Sequence, residues 1–218
     1  MSYYRFNSQF QLGPIIEPVD PSNLVKNIPM LFSADKYFAH KNGGIYTRNF
    51  LRKLSNEFWD SKDLIIDSRV HMLMPDYYPC IPGWHHDDVP RSREDGQPNY
   101  VNPEYHAKHC MMLVNGDIAP TEFAIGETEF PVIEKGKVIY KEWHPLVCDK
   151  VETWELKAVS APSDTLIYFD AHTWHRGTRA VEAGWRFFIR ATINTGRKPV
   201  NEIRQQVQVY VDPIHQGW

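Results

Sequence analysis

The 218-residue chain has only three cysteines, Cys80, Cys110 and Cys148, which are too few and too widely spaced for a disulfide scaffold and lack the close pairs of a cysteine zinc site. A reducing compartment is the expectation. No stretch approaches the roughly 20 apolar residues that cross a bilayer, and the opening Met1-Ser2-Tyr3-Tyr4-Arg5-Phe6 lacks the apolar run and cleavage pattern of a secretory signal. A soluble, cytoplasmic protein with no membrane partner is expected. Charge of one sign is not in excess: 24 Lys and Arg against 27 Asp and Glu leave a formal net charge of −3, so there is no clear nucleic-acid signature. Internal repeats, low-complexity tracts and convincing linkers are also missing, which with the length favours one domain over 1–218.

What is present is 42% hydrophobic residues, enough for one sizeable core. The first third offers a strand over 10–16, a turn at Pro18-Val19-Asp20-Pro21-Ser22, and one helix over 47–60. In that helix Phe50, Leu51, Leu54 and Phe58 recur at three- and four-residue intervals. From Leu64 the texture becomes short β-like runs between turn residues: 65–73, 110–114, 138–140, 165–169 and 185–193, with a last alternating run at 207–211. Such spacing predicts a mainly β sandwich or barrel with flanking helix in the N-terminal region. The polar segment 90–109, rich in Pro, Arg, Asp and Asn, is too long for an ordinary turn and reads as a lid, a substrate loop or a surface excursion. Segment 135–156 shows no assignable pattern beyond the short run at 138–140.

Chemistry concentrates at Pro82-Gly83-Trp84-His85-His86-Asp87-Asp88. In an extended segment residues two apart share a face, so His85 and Asp87 can converge on one ion, and so can His86 and Asp88 on the opposite face. Spacing does not choose between the pairs. A second imidazole must come from elsewhere; two histidines and a carboxylate on one side of iron(II) leave positions free for a co-substrate and oxygen. A second concentration lies in Trp185-Arg186-Phe187-Phe188-Ile189-Arg190-Ala191-Thr192, where period two puts Arg186, Phe188, Arg190 and Thr192 on one face. A hairpin turning near Ala183 would set His175 opposite Ala191 and leave Arg186 near the turn.

Phe169-Asp170 followed by His175-Arg176-Gly177, together with Gly83-Trp84-His85-x-Asp87, resembles the iron(II)- and 2-oxoglutarate-dependent oxygenases over roughly 65–194. The resemblance implies a double-stranded β-helix, a cupin-like jelly roll. It implies metal ligands His85, Asp87 and His175, preferring His85 over His86 and His175 over His172. It implies that Arg186, eleven residues beyond His175, anchors 2-oxoglutarate, that Thr121 in Pro120-Thr121-Glu122-Phe123 supports the same carboxylate, and that Arg190 acts as a second arginine near the iron-bound end or an acidic substrate. His109, Arg91 and Trp84 join Arg190 as candidate substrate contacts. The implied reaction consumes oxygen and 2-oxoglutarate, releases succinate and carbon dioxide, and hydroxylates a small molecule, a protein side chain or a nucleobase. A non-catalytic metal-binding jelly roll, or a metal hydrolase on the same scaffold, would use the metal residues but has less use for the arginine pair.

Overall fold

The structure is a computed structural model that describes residues 2–17, 19 and 25–211. Most of the expected turn at 18–22 lies outside the described residues. In chain order the elements are β1 (Tyr3–Ser8), β2 (Phe10–Ile15), β3 (Leu31–Phe32), α1 (Lys36–Asn42), α2 (Gly44–Lys53), α3 (Asn56–Trp59), β4 (Ile65–Leu73), β5 (Lys108–Val114), β6 (Thr121–Pro131), α4 (Ile139–Glu152), β7 (Lys157–Ser160), β8 (Thr165–Asp170), β9 (Trp174–Gly177), β10 (Gly184–Ile193) and β11 (Glu202–Ile203).

Two antiparallel sheets face each other. The larger has the order β2-β8-β5-β10-β4; in the smaller, the long strand β6 pairs with β1, β7 and β9, and a bridge from His85 to His175 extends it. From β4 onward the chain passes from the larger sheet to the smaller at His85, back at β5, over at β6 and β7, back at β8, over at β9 and back at β10. That alternation winds a double-stranded β-helix, the jelly roll implied by the resemblance.

Each sheet is covered on both faces, which is why the central strands read as nearly unbroken apolar runs rather than alternating ones. Met111, Leu113, Ile167 and Phe169 of the larger sheet meet Phe123 of the smaller between the sheets. On the outer face of the larger sheet, Cys110, Met112, Val114, Phe187, Ile189 and Ala191 pack under Tyr46, Phe50, Leu51, Leu54 and Phe58. On the outer face of the smaller, Phe6, Ala124, Phe130 and Trp174 pack under Ile139, Tyr140, Trp143 and Val147 of α4.

Three expectations change. The apolar stripe at 47–60 is buried as read, but the helix breaks at Leu54, whose backbone is extended (φ −57°, ψ 143°), so α2 and α3 are separate. The run 138–140 begins α4 instead of forming a strand; Ile139, Tyr140, Trp143 and Val147 lie on one helical face, and Pro145 inside the helix obscures the pattern. The run 207–211 is not a strand: Tyr210 makes a lone bridge to Tyr78 and Val209 packs against the cluster around Leu73.

Of the expected loop 90–109, Lys108 and His109 already belong to β5, and 90–107 is irregular but tied down. Asp95 accepts from the Arg93 guanidinium and from the backbone N–H of Gln97 and Gly136, while Gln97 Oε1 accepts from the Ile139 N–H at 3.0 Å, beside the start of α4. Among the described residues no helix is long and apolar enough to cross a membrane.

Candidate metal centre

His85 and His175 exchange backbone hydrogen bonds, His85 N to His175 O at 3.1 Å and His175 N to His85 O at 3.2 Å. Directly opposed residues of an antiparallel pair project to the same side, and the two imidazole centroids stand 4.5 Å apart. Asp87, two residues on from His85, shares that side: its Oδ1 lies 3.7 Å from His85 Nε2 and its Oδ2 3.4 Å from His175 Nε2. One ligand atom from each of the three residues falls within 4.8 Å of the others. Ligands at about 2.1 Å from one ion sit about 3 Å apart when adjacent, so small side-chain rotations close the set. His85 Nδ1 meets the Gly83 carbonyl at 2.7 Å and His175 Nδ1 meets the Thr173 carbonyl at 2.9 Å. A carbonyl can only accept, so each Nδ1 carries the proton and each Nε2 keeps its lone pair for the carboxylate side.

The same alternation sends the intervening residues the other way. His86 stacks on Trp174 with centroids 3.8 Å apart, and its Nδ1 contacts the Tyr100 hydroxyl at 2.8 Å, which in turn meets the Tyr140 hydroxyl at 2.9 Å. Trp84 lies in the core under α4, with the Arg176 guanidinium 4.4 Å above its ring. Asp88, with φ of 52°, turns to Arg190 at 3.2 Å and Arg197 at 3.7 Å. His172 sits among the rings of Phe6, His86 and Tyr100.

The three residues open onto a cavity of about 210 Å³ between the sheets, lined also by Asp67, Arg69, His71, Thr121, Arg186 and Arg190, with Met111, Phe169 and Phe188 as apolar wall. The expected β9–β10 hairpin is absent. β9 pairs with β6, while β10 lies in the other sheet between β4 and β5, with Ala191 opposite Cys110 and Ile66. His175 and Arg186 therefore face each other across the sandwich instead of along one ribbon. The inward face of β10 is the one expected from period two: Arg186, Phe188 and Arg190 line the cavity.

The two arginines have opposite surroundings. Arg186 is 1% exposed, donates from Nη2 to the Thr121 hydroxyl at 3.2 Å, and leaves its buried Nε without a partner. Burial, with Arg69 nearby, pushes its pKa down to about 10. Arg190 is ion-paired with Asp87 and with Asp88. Burial acts to raise the Asp87 pKa, but the Arg190 guanidinium outweighs it and holds the carboxyl well below its ordinary range. Arg190 thus keeps Asp87 ionised, the state in which a carboxylate can hold a metal.

Of the other candidate contacts, His109 is fully buried against Phe169 and Thr192, Arg91 is exposed on the 90–109 segment, and Trp84 points away; none of these three lines the cavity. Sequence reading passed over Asp67, Arg69 and His71, although they alternate along 65–73 as a face would.

Burial lowers the pKa of His71, His85, His86 and His109, to about 3 for His71 and about 4 for His85. The unfolded chain takes up these protons near pH 6.5 whereas the folded chain refuses them until far lower, so stability falls as pH drops below about 6.5, by up to about 1.4 kcal/mol per pH unit for each histidine. Thermal melts of the metal-free protein should show a midpoint that is flat above about pH 7 and declines steeply toward pH 4.5. A constant midpoint over that range would contradict the buried neutral imidazoles.

No family model matches the chain, and no curated protein matches it. Among solved structures it is similar to the crystal structure of EvdO2 from Micromonospora carbonacea var. aurantiaca complexed with 2-oxoglutarate, at 13% identity over 82% of this chain and 71% of that one, with a TM-score of 0.42. A likeness this slight carries neither fold nor function over to this chain.

Proposed function

We propose that the chain is an iron(II) oxygenase with 2-oxoglutarate as co-substrate, carried on one domain, and that it hydroxylates its substrate. The observation that supports this most is a charge imbalance inside the cavity. One end of the cavity holds two imidazoles and a carboxylate; Arg186 is buried in its wall with no carboxylate partner among the described residues. A buried guanidinium is costly unless an anion meets it, and its fork suits a carboxylate.

The donor set fits iron(II): two neutral imidazoles and one carboxylate on one side, with the cavity on the other. His85, Asp87 and His175 would hold the ion. When bound and chelated by the 2-oxo acid, that ion supplies the coupled oxidation of 2-oxoglutarate to succinate and carbon dioxide and of a substrate C–H bond. This chain's own residues position the reactants. Arg186 receives the far carboxylate, with the Thr121 hydroxyl beside it. Met111, Phe169 and Phe188 keep water from the space between. Arg190 holds Asp87 in place and ionised.

An anaerobic titration of metal-free protein with iron(II), then 2-oxoglutarate, tests this. The visible charge-transfer band of the chelate is expected, followed by succinate release on admission of oxygen. No band at saturating concentrations rules out the reading; a band without oxygen-dependent succinate favours a non-catalytic binding protein.

A further inference from the structure

Among the described residues, Arg69 is the one cationic group lining the cavity that neither the protein nor the proposed co-substrate neutralises. It sits on β4, the edge strand of the larger sheet, and faces inward with Asp67 and His71. Asp67 is already engaged, with its Oδ1 accepting from Arg204 Nη2 at 3.2 Å and from the Ser33 backbone N–H at 3.1 Å. Arg190 holds Asp87 and Asp88. Arg186 has the far carboxylate of 2-oxoglutarate in the reading above. Among the described residues Arg69 has no ion pair and no hydrogen bond, and its neighbour His71, with a pKa pushed down to about 3 by burial and by Arg186 and Arg69, brings no charge.

The register separates Arg69 from the co-substrate anchor. On β10 and β4, Arg186 stands opposite His71, Phe188 opposite Arg69 and Arg190 opposite Asp67. Arg69 is therefore one inward step nearer the metal end than Arg186, with the Phe188 ring facing it. The Arg186 guanidinium reaches away from β4, across the cavity to Thr121 on β6 of the opposite sheet. Arg69 stays at the rim, half-buried, where Tyr210 of the C-terminal segment, bridged to Tyr78, forms the wall. A half-buried guanidinium at a level between those of Arg186 and Arg190 is placed to meet a molecule that shares the cavity with the co-substrate.

We propose that Arg69 is a specificity-determining residue that receives an anionic group, a carboxylate, of the molecule to be oxidised. This assignment rests on the iron and 2-oxoglutarate reading, in which Arg204 meets Asp67, Arg190 and Arg197 meet Asp87 and Asp88, and iron(II) and Arg186 face the co-substrate dianion. Arg69 then stands without an anion among the described residues. A match of opposite charges at a half-buried site selects acids over their neutral analogues.

The test uses the anaerobic iron(II) and 2-oxoglutarate complex of the full chain, read by the chelate absorption and by calorimetry. Acetate, butyrate and hexanoate are compared with their primary amides as probes, on wild type, Arg69→Met and Arg69→Lys. Acids are expected to bind the wild-type complex about tenfold or more tightly than amides. Arg69→Met should erase that preference and Arg69→Lys should keep part of it. Both variants should leave 2-oxoglutarate affinity within about threefold of wild type, as expected for a rim charge outside the anchor. Equal binding of acids and amides, no binding of any acid, or an undiminished preference in Arg69→Met overturns the proposal. So does a loss of 2-oxoglutarate in Arg69→Met matching that in Arg186→Met, which would make Arg69 part of the anchor. A missing chelate band in wild type is a different failure and strikes the iron and 2-oxoglutarate reading itself.

Discussion

Arg186→Met is expected to weaken 2-oxoglutarate binding by about 10²- to 10³-fold, since losing one partner of a buried, hydrogen-bonded charge pair costs roughly 2–5 kcal/mol. The same change is expected to make the ligand-free protein more stable. The guanidinium is 1% exposed, meets only the Thr121 hydroxyl among the described residues and has a pKa depressed to about 10, all signs of a cation held in place at an energetic cost. Methionine fills similar space without charge, and replacing buried charge by apolar bulk commonly gains about 1–4 kcal/mol. At roughly 2–4 °C per kcal/mol for a chain of this size, the melting midpoint should rise by several degrees. The two effects have opposite signs because the anion proposed for Arg186 is no part of the folded chain itself. Melts without ligand and anaerobic titrations with it measure both. A destabilised variant with unchanged 2-oxoglutarate affinity would show that Arg186 is a structural group.

Replacing either of two neighbouring histidine types should separate the metal face from the core face. His175→Ala is expected to lower iron(II) affinity by more than about 100-fold, because even groups that merely orient a metal ligand cost roughly 10–100-fold when removed. Its effect on folding should be small, since its ring faces the cavity. His86→Ala should do the reverse. Its ring is stacked on Trp174 at 3.8 Å and bonded to Tyr100, so truncation leaves a void among aromatics and a Tyr100 hydroxyl that keeps only its bond to Tyr140, at a cost of about 2–4 kcal/mol. Metal affinity should stay within about tenfold of wild type. Equilibrium dialysis of iron(II) with parallel denaturant melts reads both. If His86→Ala abolished metal binding and His175→Ala did not, the ligand assignment would be wrong.

Much of the strand content was legible because burial on both faces selects β-branched and apolar residues in short runs. The run at 65–73 is β4, and those at 110–114, 165–169 and 185–193 fall within β5, β8 and β10. α4 was not legible: Val138-Ile139-Tyr140 has strand composition, Pro145 disfavours helix, and the helical face appears only where Trp143 and Val147 find Phe130 and Trp174 to pack against. The supposed β9–β10 ribbon failed for a related reason. A short link between two β-like runs is the usual mark of a hairpin, yet a jelly roll uses such links to cross between sheets.

For the candidate site, local rules reached as far as alternation. Two-residue periodicity alone put His85 with Asp87, His86 with Asp88, and Arg186 with Phe188 and Arg190. Which of each pair of faces looks inward is a matter of what covers the other side. α4 and Tyr100 bring an aromatic shell to the outer face of the smaller sheet, and that shell takes His86, Trp84 and Trp174, leaving His85, Asp87 and His175 to the cavity. In the same way α2 and α3 cover Phe187, Ile189 and Ala191, so the arginines of β10 turn inward. The chain by itself determined the spacing of the chemical groups; only the packing of distant elements, which adds apolar area to one face and not the other, decided which groups meet, and brought Arg69 of β4 beside them.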